Sequence, residues 1–276
     1  MRGHRGTVNA AAFSPDGRQL ASVSEDGTAR LWDSAQLGDP EVLRGHEGAV
    51  WAAAATADGR LVAGAGADGT VRIWQRGSAG EPTVLRGHDG DVFGLSFSAD
   101  GRYLASAGDD GTVRVWPVGS AHKPVVHRGH DGRVWTAAFS PDGSRLVSGG
   151  NDGTARVWNT AGTGEPVVLT GHQGIVWSAA CSADGRQVVT AGNDTTVRVW
   201  KSSGTGPPVV LHGFGASVES ARFVAAGHFV SAHDDGTVRA WERLPCRPID
   251  ELVERSRQQS TRELTREERD SYLNGQ

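Results

Sequence analysis

Residues 91–116 read "DVFGLSFSADGRYLASAGDDGTVRVW". Three short apolar, β-prone runs are separated by Asp-Gly pairs. Asp-Gly between such runs is a strong hairpin signal, because both central positions of the favoured tight turn need φ above zero. In the next unit the tryptophan is followed by a small-residue loop, "GTGEP" (162–166), and a fourth run, "VVL" (167–169), that leads to a Gly-His pair. The stretch therefore reads as four antiparallel strands. One such sheet exposes both faces and cannot stand alone, so neighbours must stack.

The neighbours are in the sequence. Gly-His recurs at His4, His46, His88, His130 and His172, each 42 residues after the last. Tryptophan closes the units at Trp32, Trp74, Trp116, Trp158 and Trp200, with Trp241 one residue early in a sixth, shorter unit. Four-stranded units at this period predict an all-β chain, a β-propeller of six four-stranded blades. Units begin near residues 3, 45, 87, 129, 171 and 213, which gives a propeller over 1–243 and a tail over 244–276.

Bulk composition narrows the function. The 276 residues carry a formal charge of −4, with 28 basic and 32 acidic side chains. No strongly basic block offers itself to a phosphate backbone, so nucleic acid is disfavoured as a partner. Hydrophobic residues make up 37%, yet no apolar run approaches a membrane span, and "MRGHRGTV" has no signal segment. Two cysteines, Cys181 and Cys246, exclude a disulfide framework and a four-cysteine zinc site. Cys181 falls in the column of Phe13, Phe97, Phe139 and Phe223 and reads as a small core hydrophobe. A reducing cytoplasm is the expected compartment, with no cofactor and no metal.

These residues resemble the WD-repeat (WD40) β-propeller family. The resemblance covers residues 2–243 and rests on Gly-His, Asp-Gly-Thr and the closing tryptophan at fixed offsets. The Trp-Asp dipeptide itself survives only at Trp32-Asp33. The resemblance implies a hydrogen-bonded relay, Trp to Ser/Thr to His to Asp, that locks each blade. Blade one would use His4, Ser22, Asp26 and Trp32, and blade three His88, Ser106, Asp110 and Trp116. Blade four would use His130, Ser148, Asp152 and Trp158, and blade five His172, Thr190, Asp194 and Trp200. Blade two has Gly64 at the hydroxyl position, and blade six has Phe214 where histidine belongs, beside Ser231, Asp235 and Trp241. A catalytic constellation is normally unique and set in a cleft. One copied in four blades is a structural lock, so no catalytic residue is assigned and the chain reads as a non-enzyme.

Other motifs are decoys. "GAGADG" (64–69) matches the dinucleotide fingerprint, but it precedes a strand, "TVRIW", where the fingerprint needs a helix. The arginines two before each tryptophan (Arg30, Arg72, Arg114, Arg156, Arg198 and Arg239) form a column with two readings, a solvated or inter-blade packing role or an outer-face docking stripe.

The end bearing the histidine loops is the family's usual interaction face. There the residue five after each histidine reads Asn9, Trp51, Phe93, Trp135, Trp177 and Glu219. Surface Trp and Phe are over-represented in binding hot spots, and a contiguous patch of them signals a partner. The bland alternative has each ring lying flat on its own blade. Glu25, Asp91, Asp109, Arg133, Asn151 and Asp234 surround this column, an aromatic floor with a mainly acidic rim. It suits a basic or mixed-charge protein or peptide.

From Leu244 the strand rhythm stops. Pro248 can open a helix with Ile249, Leu252 and Val253 on one face, and Thr265 with Glu268 makes a capping box for a second helix carrying Tyr272 and Leu273. This charged tail reads either as a solvated helical surface or as a helix packing on the propeller or on another domain. "LTREERDSYL" resembles endings of large bacterial signalling proteins of the STAND type, which makes the sensor region of such a protein the alternative function. Gly3-His4 has only Met1 and Arg2 ahead of it, so blade six lacks its usual strand donor. Either six blades close imperfectly, or the chain is a piece of a longer protein that supplies a strand, more blades or further domains.

Overall fold

A computed structural model describes residues 3–14, 17–35, 38–78, 80–120, 122–212, 215–225 and 228–241. Blade one is built from β1 (Val8–Phe13), β2 (Gln19–Ser24), β3 (Ala29–Asp33) and β4 (Glu41–Leu43). Blade two takes β5 (Val50–Ala55), β6 (Leu61–Gly66), β7 (Thr70–Gln75) and β8 (Thr83–Arg86). Blade three takes β9 (Val92–Phe97), β10 (Tyr103–Gly108), β11 (Val113–Pro117) and β12 (Val125–His127). In blade four these are β13 (Val134–Phe139), β14 (Arg145–Gly150), β15 (Thr154–Asn159) and β16 (Val167–Thr170). In blade five they are β17 (Val176–Cys181), β18 (Gln187–Gly192), β19 (Val197–Lys201) and β20 (Val209–Leu211). Blade six has three strands among the described residues, β21 (Val218–Ala225), β22 (His228–His233) and β23 (Val238–Trp241). Each sheet is a meander of antiparallel neighbours in chain order, and the whole is an all-β propeller.

Composition follows from what each strand touches. The second strand of a blade is covered on both faces, so β10 and β14 end in small residues, "ASAG" and "VSGG", all buried. The core lies between blades. Ala105, Ala107, Val113 and Val115 of blade three meet Val134, Leu146 and Trp158 of blade four, and the same positions mate from blade one through blade five. Val50, Val92, Val134, Val176 and Val218 are wholly buried at these contacts. Burying a valine contributes about 1.5–3 kcal/mol, so these contacts tie each blade to its neighbours.

In the Asp-Gly turns only the glycine is left-handed, as Gly111 is at φ +72°, while Asp110 before it is not, which corrects the expectation that both positions have φ above zero. Blade five departs from this. Thr195 holds the glycine position at φ +61°, the one non-glycine in that region among the described residues. The fingerprint-like "GAGADG" spans the end of β6 and a turn into β7, with no helix after it. The tail expected to be helical, including Ile249, Leu252 and Val253, lies outside the described residues, as does Phe214. No helix among the described residues is long and apolar enough to cross a membrane, which says nothing of strand-built spans.

Candidate functional site: the lock relays and the ring-bearing end

The relay residues meet. In blade three Trp116 Nε1 donates to Ser106 Oγ over 2.8 Å, Ser106 Oγ lies 2.7 Å from His88 Nε2, and His88 Nδ1 lies 3.0 Å from Asp110. A neutral imidazole fits this chain, with the serine hydroxyl donating to Nε2 and Nδ1–H donating to the carboxylate. Blade one repeats it through Trp32, Ser22, His4 and Asp26. Blade four uses Trp158, Ser148, His130 and Asp152. Blade five uses Trp200, Thr190, His172 and Asp194.

Burial pushes the imidazoles of His88, His130 and His172 below the usual histidine value, and the facing carboxylates only partly offset this. Burial alone would raise Asp194. Hydrogen bonds from the Gln173 N–H, His172 and Thr196 outweigh it and hold the carboxyl at about 2. A buried neutral histidine clamped between a hydroxyl and a carboxylate stiffens a blade.

Blade two shows what Gly64 removes. His46 still reaches Asp68 at 3.0 Å, but its Nε2 is buried without a partner. Trp74 Nε1 turns instead to the Arg44 carbonyl at 3.2 Å.

Blade six carries a substitution that the sequence reading missed. His233 Nε2 lies 2.8 Å from Ser231 Oγ, which accepts from Trp241 Nε1 at 2.9 Å. His233 occupies the column that is Gly66, Gly108, Gly150 and Gly192 in blades two to five. A Cβ at Gly108 would fall 2.5 Å from His88 Nδ1. In these four blades the column is glycine beside the Gly-His histidine; it is Ser24 in blade one and histidine in the unit whose Gly-His pair is missing. That exchange was the signal available in the sequence.

The arginine column has a role that neither reading gave. Arg114 Nη2 sits 3.1 Å from Asp110, and Arg72, Arg156 and Arg198 stand 3.5–3.6 Å from Asp68, Asp152 and Asp194. These arginines cap the relay carboxylates and are largely buried, which corrects the docking-stripe alternative for them.

At the same end the aromatic column forms one continuous arc. Ring centroids stand 6.1 Å apart for Trp51 and Phe93, 4.6 Å for Phe93 and Trp135, and 4.7 Å for Trp135 and Trp177. All four rings are half-buried. The strand register explains their direction. In every blade the pairing slips by one residue at the start of the first strand, as between Val134↔Gly150 and Thr136↔Gly149, leaving Trp135 unpaired. Trp51, Phe93 and Trp177 are skipped in the same way. A β-bulge re-aims the side chain of its extra residue, and here it turns each ring toward its neighbour.

Polar groups fix the rings. Trp51 Nε1 donates to Asp91 at 3.0 Å, Trp135 Nε1 to Asn151 at 2.7 Å and Trp177 Nε1 to Ser217 at 3.2 Å. Arg133 lies over Phe93 and Trp135, 4.7 and 4.8 Å from their centroids, and Asp109 pairs with its Nε at 2.6 Å. Asn9 donates to the Val50 carbonyl at 2.9 Å, while Glu219 accepts from Ser217 at 2.8 Å. Glu25 and Asp234 are exposed, and so are Glu47, Asp89 and Asp131, the residues after three of the relay histidines, which the sequence reading did not weigh. Among the described residues no three His, Cys, Asp or Glu side chains gather as a metal site.

Five segments, residues 1–33, 40–75, 81–117, 123–159 and 165–201, match the family "WD domain, G-beta repeat". The chain belongs to the WD-repeat family. Human WD repeat-containing protein 86 is 59% identical over 32 residues, and mouse transducin beta-like protein 2 is 53% identical over 34. Each match takes in 12% of this chain and spans only 8% of the relative's length. WD repeats generally serve as protein-interaction scaffolds and are typically non-catalytic.

Proposed function

We propose that this WD-repeat chain is a non-catalytic recognition module whose working surface is the arc Trp51, Phe93, Trp135 and Trp177. The observation that carries the reading is the arc itself, four half-buried rings that bulges aim at one another and that Asp91, Asn151 and Ser217 hold in place. Rings fixed before a partner arrives lose little freedom on binding, which favours affinity.

The partner that fits is a basic or mixed-charge polypeptide segment. Arg133 already lies against Phe93 and Trp135, so this ring pair accepts a guanidinium. Its charge is answered by Asp109, while Glu25, Glu47, Asp89, Asp131 and Asp234 stay exposed around the arc. Among the described residues no arginine lies over Trp51 or Trp177, and cationic side chains of a partner would stack there.

Selection from a random peptide display library tests this. Parent chain is the bait, and a Trp51/Trp135/Trp177 triple alanine variant of matched melting temperature is the counter-bait. Enrichment of Arg- or Lys-containing peptides on the parent alone supports the reading. Enrichment that the variant shares, or of acidic peptides, contradicts it. The further reading, a sensor region within a STAND-type signalling protein, rests on "LTREERDSYL" and is tested by whether the gene encodes a P-loop domain in the same polypeptide.

A further inference from the structure

One position in the arc is filled differently from its equivalents. The residue three after the Gly-His histidine, or after that place in blade six, serves the ring of the blade before it. Asp91 accepts the indole N–H of Trp51, and Ser217 accepts that of Trp177. In blade four this residue is Arg133, and the ring before it is Phe93, which has no N–H to satisfy. Arg133 instead lays its guanidinium over Phe93 and Trp135, while Asp109 takes its Nε at 2.6 Å. Aromatic faces and a carboxylate are the groups that bind a guanidinium. The fit is nevertheless partial. Arg133 meets Asp109 through Nε alone, and among the described residues neither its Nη1 and Nη2 nor Asp109 Oδ2 has a hydrogen-bond partner. A guanidinium and a carboxylate pair best through two parallel N–H···O bonds. The contact is also open to water, the two side chains being 36% and 39% exposed, where ion pairs and cation–π contacts are weak.

We propose that Phe93, Trp135 and Asp109 form a binding site for a partner's arginine, and that Arg133 is a built-in stand-in which the partner displaces. The proposal rests on the arc being a recognition surface. An incoming guanidinium can lie on the same two rings and offer two N–H groups to both Asp109 oxygens, where Arg133 offers one. Arg133 leaves by a side-chain rotation, which an exposed residue makes within nanoseconds. Among the described residues no such stand-in covers Trp51 or Trp177. A partner's cations therefore meet competition at the centre of the arc and none at its ends. Arg133 thus sets specificity. A lone cation gains little by replacing it, whereas a segment with further contacts along the arc offsets the loss. A permanent prop for the rings would act in the opposite sense: removing a prop weakens binding, and removing a stand-in strengthens it.

The difference in sign is the test. N-methylguanidinium, the head group of arginine, is titrated into ¹⁵N-labelled parent, Arg133→Ala and Arg133→Ala/Asp109→Asn chains while the Trp135 indole N–H resonance is followed. The blade-closing indole resonances, held in place from chain to chain, show that the propeller is intact; Arg133→Gln takes the place of the alanine variant if they move. The Trp135 signal should shift saturably in Arg133→Ala, with binding about threefold or more weaker in the parent and in the double variant. No saturable shift in Arg133→Ala, or equal affinity in the three chains, overturns the proposal. The second probe is an arginine peptide enriched on the parent by the display selection. Arg133→Ala should bind it about threefold or more tighter, and weaker binding would make Arg133 a prop and overturn the stand-in. A selection that enriches no arginine peptide counts against the arc as a peptide surface, and the N-methylguanidinium titration then decides the site by itself.

Discussion

Phe93 and Trp135 stand with their ring centroids 4.6 Å apart across two blades, each being the unpaired residue of a β-bulge. Arg133 lies over both and is tied to Asp109. Phe93→Ala should therefore loosen Arg133 and Trp135 while leaving the blade locks intact. The expected loss of stability is about 1 kcal/mol, the scale of an aromatic pair. Trp116→Ala, which removes a buried lock ring, should cost about 3–5 kcal/mol. Urea unfolding of the two variants checks the contrast, and equal costs would make the arc part of the core.

The unequal relays predict unequal histidines. His88 joins Ser106 to Asp110, whereas His46 holds only Asp68 and leaves Nε2 unpaired. Removing His88 strands a buried hydroxyl as well as a carboxylate, at about 1–3 kcal/mol per unsatisfied group. His88→Ala should therefore destabilise more than His46→Ala by about 1 kcal/mol or more. The same denaturation series measures it.

Thr195 is a β-branched residue at φ +61°, where its counterparts are Gly27, Gly69, Gly111, Gly153 and Gly236. The left-handed region costs a side chain about 1–2 kcal/mol. Thr195→Gly should thus stabilise the chain by about 1 kcal/mol and raise the melting temperature by about 2–4 °C, as calorimetry would show. A fall would mean that the Thr195 side chain makes a compensating contact.

Stability should fall in two stages on acidification. Burial lowers the folded-state values of His46, His88, His130 and His172 from 6.5, so below about pH 6.5 the unfolded chain takes up protons first and stability is lost. Asp68 and Asp194 titrate near 2 when folded against 3.8 when free, so their contribution is complete above 3.8 and disappears as pH drops toward 2. Urea midpoints should be level from pH 8 to 7, decline from 6.5 to 5, and decline again below 4. A midpoint rising between pH 7 and 5 would mean that the histidines are charged in their locks.

The parts written as repeats were legible in the sequence. The 42-residue period placed the strands and turns, and it aligned His88 with Ser106, Asp110 and Trp116 before any distance was known. The parts set by departures from register were not. The bulges at Trp51, Phe93, Trp135 and Trp177 lie inside unbroken apolar runs, where pattern alone does not reveal a skipped partner. His233 lies outside the Gly-His column, and its part emerges only when its column is seen to be glycine in blades two to five, where that pair is present.

The nine tryptophans offer the most direct test of the central claim. Trp51, Trp135 and Trp177 belong to the arc, and Trp32, Trp74, Trp116, Trp158, Trp200 and Trp241 close the blades. A ¹⁵N-labelled chain would be titrated with an arginine-rich peptide chosen by the display selection, and the indole N–H resonances followed. The three arc signals should shift and saturate together while the six blade-closing signals stay in place. Saturable binding that leaves the arc signals unmoved would contradict the account and put the working surface elsewhere on the propeller.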